Sequence, residues 1–89
     1  MSPDRFARAV LQVGGEQREF VVNPQSAHGI AILEELRFVR REAQAEADAA
    51  YADWRVAAYP EAYAVYRAAQ DRADAAQDDL AEWAQRVEA

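Results

Sequence analysis

From Ala27 to the end of the chain, apolar residues recur at intervals of three and four, the spacing that aligns one face of an α-helix. A first run carries Ile32, Leu36, Val39, Ala43, Ala47, Ala50, Trp54 and Ala57, and a second carries Tyr59, Ala62, Tyr66, Ala69, Ala73, Ala76, Leu80, Trp83 and Val87. Pro60 divides them. A proline lacks the amide donor, clashes with the preceding turn and pushes its predecessor out of the α region, yet it suits the first position of a new helix. The pattern therefore predicts helices over 24–58 and 60–88. Folding the second back on the first with Ile32 opposite Val87 also brings Leu36 to Trp83, Val39 to Leu80, Ala43 to Ala76, Ala47 to Ala73 and Ala50 to Ala69. Bulky layers meet bulky layers and small meet small, as an antiparallel coiled-coil-like seam requires. Against a tight reversal stands the stretch Val56 to Glu61, which offers no Gly or Asn for a left-handed cap. One long bent helix paired with another chain is the competing arrangement. A hairpin should measure about 45 Å at ~1.5 Å per residue, and a bent helix far more.

Before the helices the period changes from three-and-four to two. Residues 6–22 read as strand, turn and strand: Ala9, Leu11 and Val13 alternate, Gly14-Gly15 breaks the run, and Phe20 and Val22 rejoin the apolar face across a loop of either two or four residues. An isolated two-stranded hairpin is marginal in water, so this one is expected to pack on a helix or a neighbouring chain. Ile30 and Leu33 lie off the helical seam and are its expected neighbours. Asn23-Pro24 supplies one helix cap and Ser26 a competing one. Gly29 costs helix propensity and is expected to admit close approach of a strand. Met1 to Arg5 is a polar, fraying start. The fold class is thus mainly α with a small β-hairpin, an N-terminal β-hairpin followed by a long antiparallel helical hairpin, in a single domain over 1–89.

Composition tempers this picture. Of 46 hydrophobic residues 22 are alanine, so the core is thinner than the 52% hydrophobic content implies, and oligomerisation is a live source of extra stability. There is no cysteine for a disulfide framework and no apolar run near the ~20 residues that span a bilayer, and no signal peptide is expected. A cytoplasmic location, in a bacterial cell or a phage particle, is expected. All ten basic residues are arginine, which with the alanine content points to a GC-rich coding sequence and so to a bacterium or its phage. Charge is uneven: residues 1–41 carry net +1 and residues 42–89 net −7.

Candidate chemistry is sparse. His28 is the single histidine, and beside Ser26 at a helix start it is better explained by capping than by catalysis; no catalytic, cofactor-binding or metal-ligating residue is expected. Gly14-Gly15 lacks phosphate-loop spacing. Asp71, Asp74, Asp78 and Glu82 form an acidic stripe that reads as a solvated outer face, and Arg37, Arg40 and Arg41 as local partners of Glu34 and Glu35. A net-acidic chain argues against direct nucleic-acid binding, and nothing points to a membrane. Tyr51, Trp54, Tyr59, Tyr63 and Tyr66 crowd the end near Pro60, where an alanine seam is too narrow to bury them all. They either pack on each other or anchor a protein partner of unknown identity. The leading functional expectation is a non-enzymatic protein-binding or assembly module, in a structural or adaptor protein. The alternative is an acidic inhibitor whose face of Asp71, Asp74, Asp78 and Glu82 occupies a nucleic-acid-binding groove on another protein, in the manner of phage anti-defence proteins.

Overall fold

A computed structural model describes residues 7–13 and 16–89; the expectations for Met1 to Arg5, for Phe6 and for the Gly14-Gly15 turn lie outside the described residues. The chain forms β1 (Ala7–Val13), β2 (Glu16–Val22), α1 (Ala27–Ala57) and α2 (Pro60–Glu88), and the two helices pack as an antiparallel hairpin. Pro60 marks a reversal, and the competing bent helix is set aside.

The strands pair antiparallel from Ala7 with Val22 to Val13 with Glu16. Two residues therefore separate the strands, which decides the loop length, and Phe20 and Val22 share the register parity of Ala9, Leu11 and Val13. Where the sheet meets the helices, Val22 is buried with Ile32, Leu33, Leu36 and Trp83, and Ala7, Leu80, Ala84 and Val87 pack around them. Leu33 thus takes its expected place beside the sheet. Ile30 does not: it is exposed, because it lies about 60° beyond the arc that Leu33 and Ile32 present inward.

Halfway along, the seam narrows to Ala47, Ala50, Ala69 and Ala73, all buried, with Ala43 and Tyr66 against them. Alanine at these layers lets the two backbones approach closely, and the cluster gathers the residues that the sequence register sets opposite each other. Not every seam position is covered: Val39 is exposed, as are Ala57 and Tyr59 at the far end. The longest extent, 56 Å of 56 × 24 × 18 Å, exceeds the ~46 Å of a 31-residue helix. A radius of gyration of 16.1 Å, against about 12 Å for a compact globule of this length, describes a rod.

The joint between sheet and helices is closely specified. Asn23 turns the chain first: its Oδ1 accepts from the Gln25 amide, and its carbonyl accepts from both the amide and the hydroxyl of Ser26. Ser26, in extended conformation, then caps α1 by accepting from the Gly29 amide at 3.1 Å. The helix accordingly begins at Ala27 and not at 24, because Asn23 and Pro24 are used in the turn. Gly29 admits the carbonyls of that turn, and not a strand, to close approach: a Cβ there would lie 2.3 Å from the Pro24 oxygen and 2.6 Å from that of Asn23. From the other helix, the Trp83 indole N–H donates to the buried Gly29 carbonyl at 2.9 Å, and the Gln25 side chain donates to the Arg86 carbonyl near the end of α2. No helix among the described residues is long and apolar enough to cross a membrane.

Candidate functional site: the tip of the helical hairpin

Only Ala58 and Tyr59 separate the two helices. Pro60 forces Tyr59 into the extended region, where it sits at φ −105° and ψ 162°. Ala58 is then the single residue left to reverse the chain, and it does so in the left-handed region at φ 56° and ψ 25°. Its amide donates to the Trp54 carbonyl at 2.7 Å, closing α1 in the manner usually entrusted to glycine. A non-glycine residue in this region costs roughly 1–2 kcal/mol. The tip is therefore held in a conformation that local preference opposes.

Two side-chain groups flank this turn. On one flank Tyr51, Trp54, Tyr63 and Tyr66 pack together: Trp54 and Tyr66 stack with centroids 5.8 Å apart and planes 1° from parallel, and the tilted contacts of Tyr51 with Tyr66 and of Trp54 with Tyr63 are 5.3 and 5.2 Å. Such ring pairs contribute about 0.5–1.5 kcal/mol each beyond the area they bury. Arg55 joins them, its guanidinium 5.8 Å from the Tyr51 ring centre and donating to the Tyr51 hydroxyl at 3.3 Å. Four of the five aromatic residues singled out from sequence are thus brought together.

Tyr59, the fifth, is not in this cluster. It lines a shallow groove of about 510 Å³ on the other flank, with Asp53, Val56, Ala57, Glu61 and Val65. Residues two apart on a helix differ by about 200° in direction, which is why Asp53 faces away from Tyr51 and Glu61 from Tyr63. Val56 is 89% exposed, Val65 61% and Tyr59 56%. Asp53 and Val56 stand one turn apart on α1, and Glu61 and Val65 one turn apart on α2, so each wall offers one carboxylate and one valine. Among the described residues neither carboxylate takes part in an ion pair or side-chain hydrogen bond. The groove was not read from the sequence, because Val56 and Val65 are single valines among alanines and fall outside both seams.

Elsewhere the acidic stripe is solvent-exposed along the outer face of α2, and much of it is locally engaged: Asp71 pairs with Arg67 at 3.7 Å, Glu82 with Arg86 at 3.1 Å, and Asp74 accepts from Gln70 at 3.0 Å. Of the basic cluster, Arg37 pairs with Glu34 at 2.8 Å as expected, whereas among the described residues Arg40 and Arg41 form no ion pair with Glu34 or Glu35. Arg72 reaches across to Glu46 at 3.7 Å. Asp79, next to the stripe, has its carboxyl pushed above the ordinary value by partial burial and then by the charges of Glu82 and Asp78. Ser26 spends its hydroxyl on the cap, and His28 is exposed. Among the described residues no group of three or more acidic or histidine side chains is placed to hold a metal ion.

No family model, curated protein or solved structure matches the chain. Its functional reading rests on this geometry. Of the surfaces described, the tip combines an uncovered apolar groove, two uncompensated carboxylates and a strained turn in one place.

Proposed function

We propose that the protein is a non-enzymatic protein-binding or assembly module that makes its contact through the tip of the helical hairpin. The observation that carries this reading is the groove of Val56, Tyr59 and Val65, left open at the tip beside an alanine seam and a set of stacked rings. Exposed side chains of this size gathered at one point favour association, because covering them removes apolar area from water at about 25 cal/mol per Å². The ring cluster behind supplies stiffness, so little conformational entropy is lost when a partner docks. Tyr51 and Tyr63, members of that cluster, remain exposed and belong to the residue type that dominates binding hot spots.

The acidic-inhibitor reading draws support from the net −7 of residues 42–89 and from the exposure of Asp71, Asp74, Asp78 and Glu82. It ranks second because neighbouring Arg67, Arg86 and Gln70 already engage three of the four. Affinity capture with three baits separates the two: wild type, a Tyr59→Ser/Val65→Ser variant, and an Asp71→Asn/Asp74→Asn/Asp78→Asn variant. The module reading expects a partner retained by the wild type and the Asn variant and lost by the tip variant, with circular dichroism unchanged. Loss confined to the Asn variant, or to moderate salt, transfers the function to the acidic face.

A further inference from the structure

Deepening that reading, on which it rests, we infer that the tip groove receives a cationic amphipathic helix of a partner protein. The groove seats an apolar side chain of that helix between Val56 and Val65, with Lys or Arg about one turn to either side meeting Asp53 and Glu61. Three observations lead to this occupant. First, each wall repeats one arrangement, a carboxylate one helical turn from a valine, so the groove matches a ligand in which charge and apolar contact alternate at helical spacing. Second, Arg55, the cation nearest to Asp53 in sequence, is turned to the opposite flank, where it lies against Tyr51, and among the described residues neither Asp53 nor Glu61 forms an ion pair. Third, the surroundings are acidic, which raises the local concentration of a basic partner.

The same charges disfavour a second copy of this chain as occupant. A two-fold contact through the groove sets Asp53 and Glu61 of one protomer near those of the other, and like charges brought together in an apolar contact repel. An acidic partner meets the same objection. A small ligand is disfavoured by shape, because the groove is broad and shallow and leaves much of such a molecule in water.

The test titrates the isotope-labelled protein, by NMR, with a synthetic amphipathic helical peptide of leucine and lysine, and with its leucine–glutamate counterpart, at near-physiological salt. The expected result is shifts confined to amides of residues 53–65 with the lysine peptide and none with the glutamate peptide. Asp53→Asn/Glu61→Gln should weaken binding roughly fivefold, as loss of two partly exposed ion pairs does. Val56→Ser/Val65→Ser should weaken it at least about tenfold while leaving the helices intact, since both valines are largely exposed in the free protein. Asp71→Asn/Asp74→Asn/Asp78→Asn should leave it within about twofold. Absence of binding, shifts along the outer face of α2, or binding that collapses in the last variant overturns the inference. None of those outcomes touches the module reading itself, which fails instead if the Tyr59→Ser/Val65→Ser bait retains its captured partner.

Discussion

Replacing Gly29 by alanine sets two effects of opposite sign against each other, and the structure says which wins. Gly29 lies inside α1, where alanine is favoured over glycine by about 1 kcal/mol. Were the helix surrounded by solvent, the substitution would stabilise. The added Cβ, however, would fall 2.3 Å from the Pro24 carbonyl oxygen and 2.6 Å from that of Asn23, both backbone atoms. Neither can rotate aside as a side chain would, so the whole turn must retreat by about an ångström, at a cost typical of overpacking, ~1–3 kcal/mol. The retreat loosens what the turn holds. Ser26 bonds to Asn23 while capping α1, a cap whose loss costs about 1 kcal/mol, and the Gln25 bond to the end of α2 starts from the same segment. The net expectation is a destabilisation of about 1–3 kcal/mol. For a domain of this size each kcal/mol lowers the melting temperature by roughly 4–8 °C. Thermal and urea unfolding followed by far-UV circular dichroism measure it directly. A Gly29→Ala protein as stable as the wild type, or more so, would refute the idea that this joint depends on close backbone approach and would leave propensity in command.

The remaining expectations probe other levels of the molecule. Ala50→Leu and Ala69→Leu should each destabilise by ~1–3 kcal/mol, because both sites are buried in the narrow seam, whereas Ala49→Leu and Ala68→Leu on the exposed faces should stay within about 0.5 kcal/mol; equal melting shifts at all four sites would contradict the register. Ala58→Gly should stabilise by about 1 kcal/mol, since glycine takes the left-handed conformation without the Cβ penalty, and an unchanged or lower stability would deny that Ala58 is strained. Asp79→Asn should stabilise at about pH 7. A carboxyl whose folded pKa is raised holds its proton more tightly folded than unfolded, so its ionisation opposes folding above the folded pKa, and this penalty fades as pH falls toward its ordinary 3.8. Melting curves of the two proteins should therefore converge near pH 3, and a gap that widens on acidification would reverse the sign of the argument.

The helical seam was legible because its information is redundant. Leu36 with Trp83 and Ala50 with Ala69 are separate size-matched layers, and only one antiparallel register satisfies them together. The sheet was legible for a similar reason, a change of period at residues 6–22 interrupted by a glycine pair. Single-residue decisions were not. Asn23 and Ser26 are both good caps by type, and what selects Ser26 is the turn that Asn23 makes with Gln25 and Ser26, a contact with no periodic signature. A glycine at position 29 signals close approach but not of what, and the approaching group is the turn at 23–24 and not a strand. Ile30 and Val39 sit at the margins of their helical faces, where a few tens of degrees decide between cover and solvent, and a spacing rule resolves no finer than that.

The tip shows why a missing signal is itself informative. The absence of Gly or Asn between Val56 and Glu61 counted against a reversal, yet the reversal occurs, on Ala58. The physics resolves this without special pleading. Pro60 confines Tyr59, helix packing on both sides holds the ends, and the ~1–2 kcal/mol that Ala58 loses is small beside what the ring cluster contributes through Tyr51, Trp54, Tyr63 and Tyr66. The cluster therefore closes the tip, which is the structural role weighed for these aromatics at the outset, and it leaves Tyr59 without a ring partner among them. A side chain that the turn places outside the packing, beside Val56, Val65 and two carboxylates without ion-pair partners among the described residues, is then the part of the tip that internal stability does not explain. That is the ground for assigning recognition to the groove and rigidity to the rings, and it makes Tyr59, more than Trp54, the aromatic whose loss should separate binding from folding.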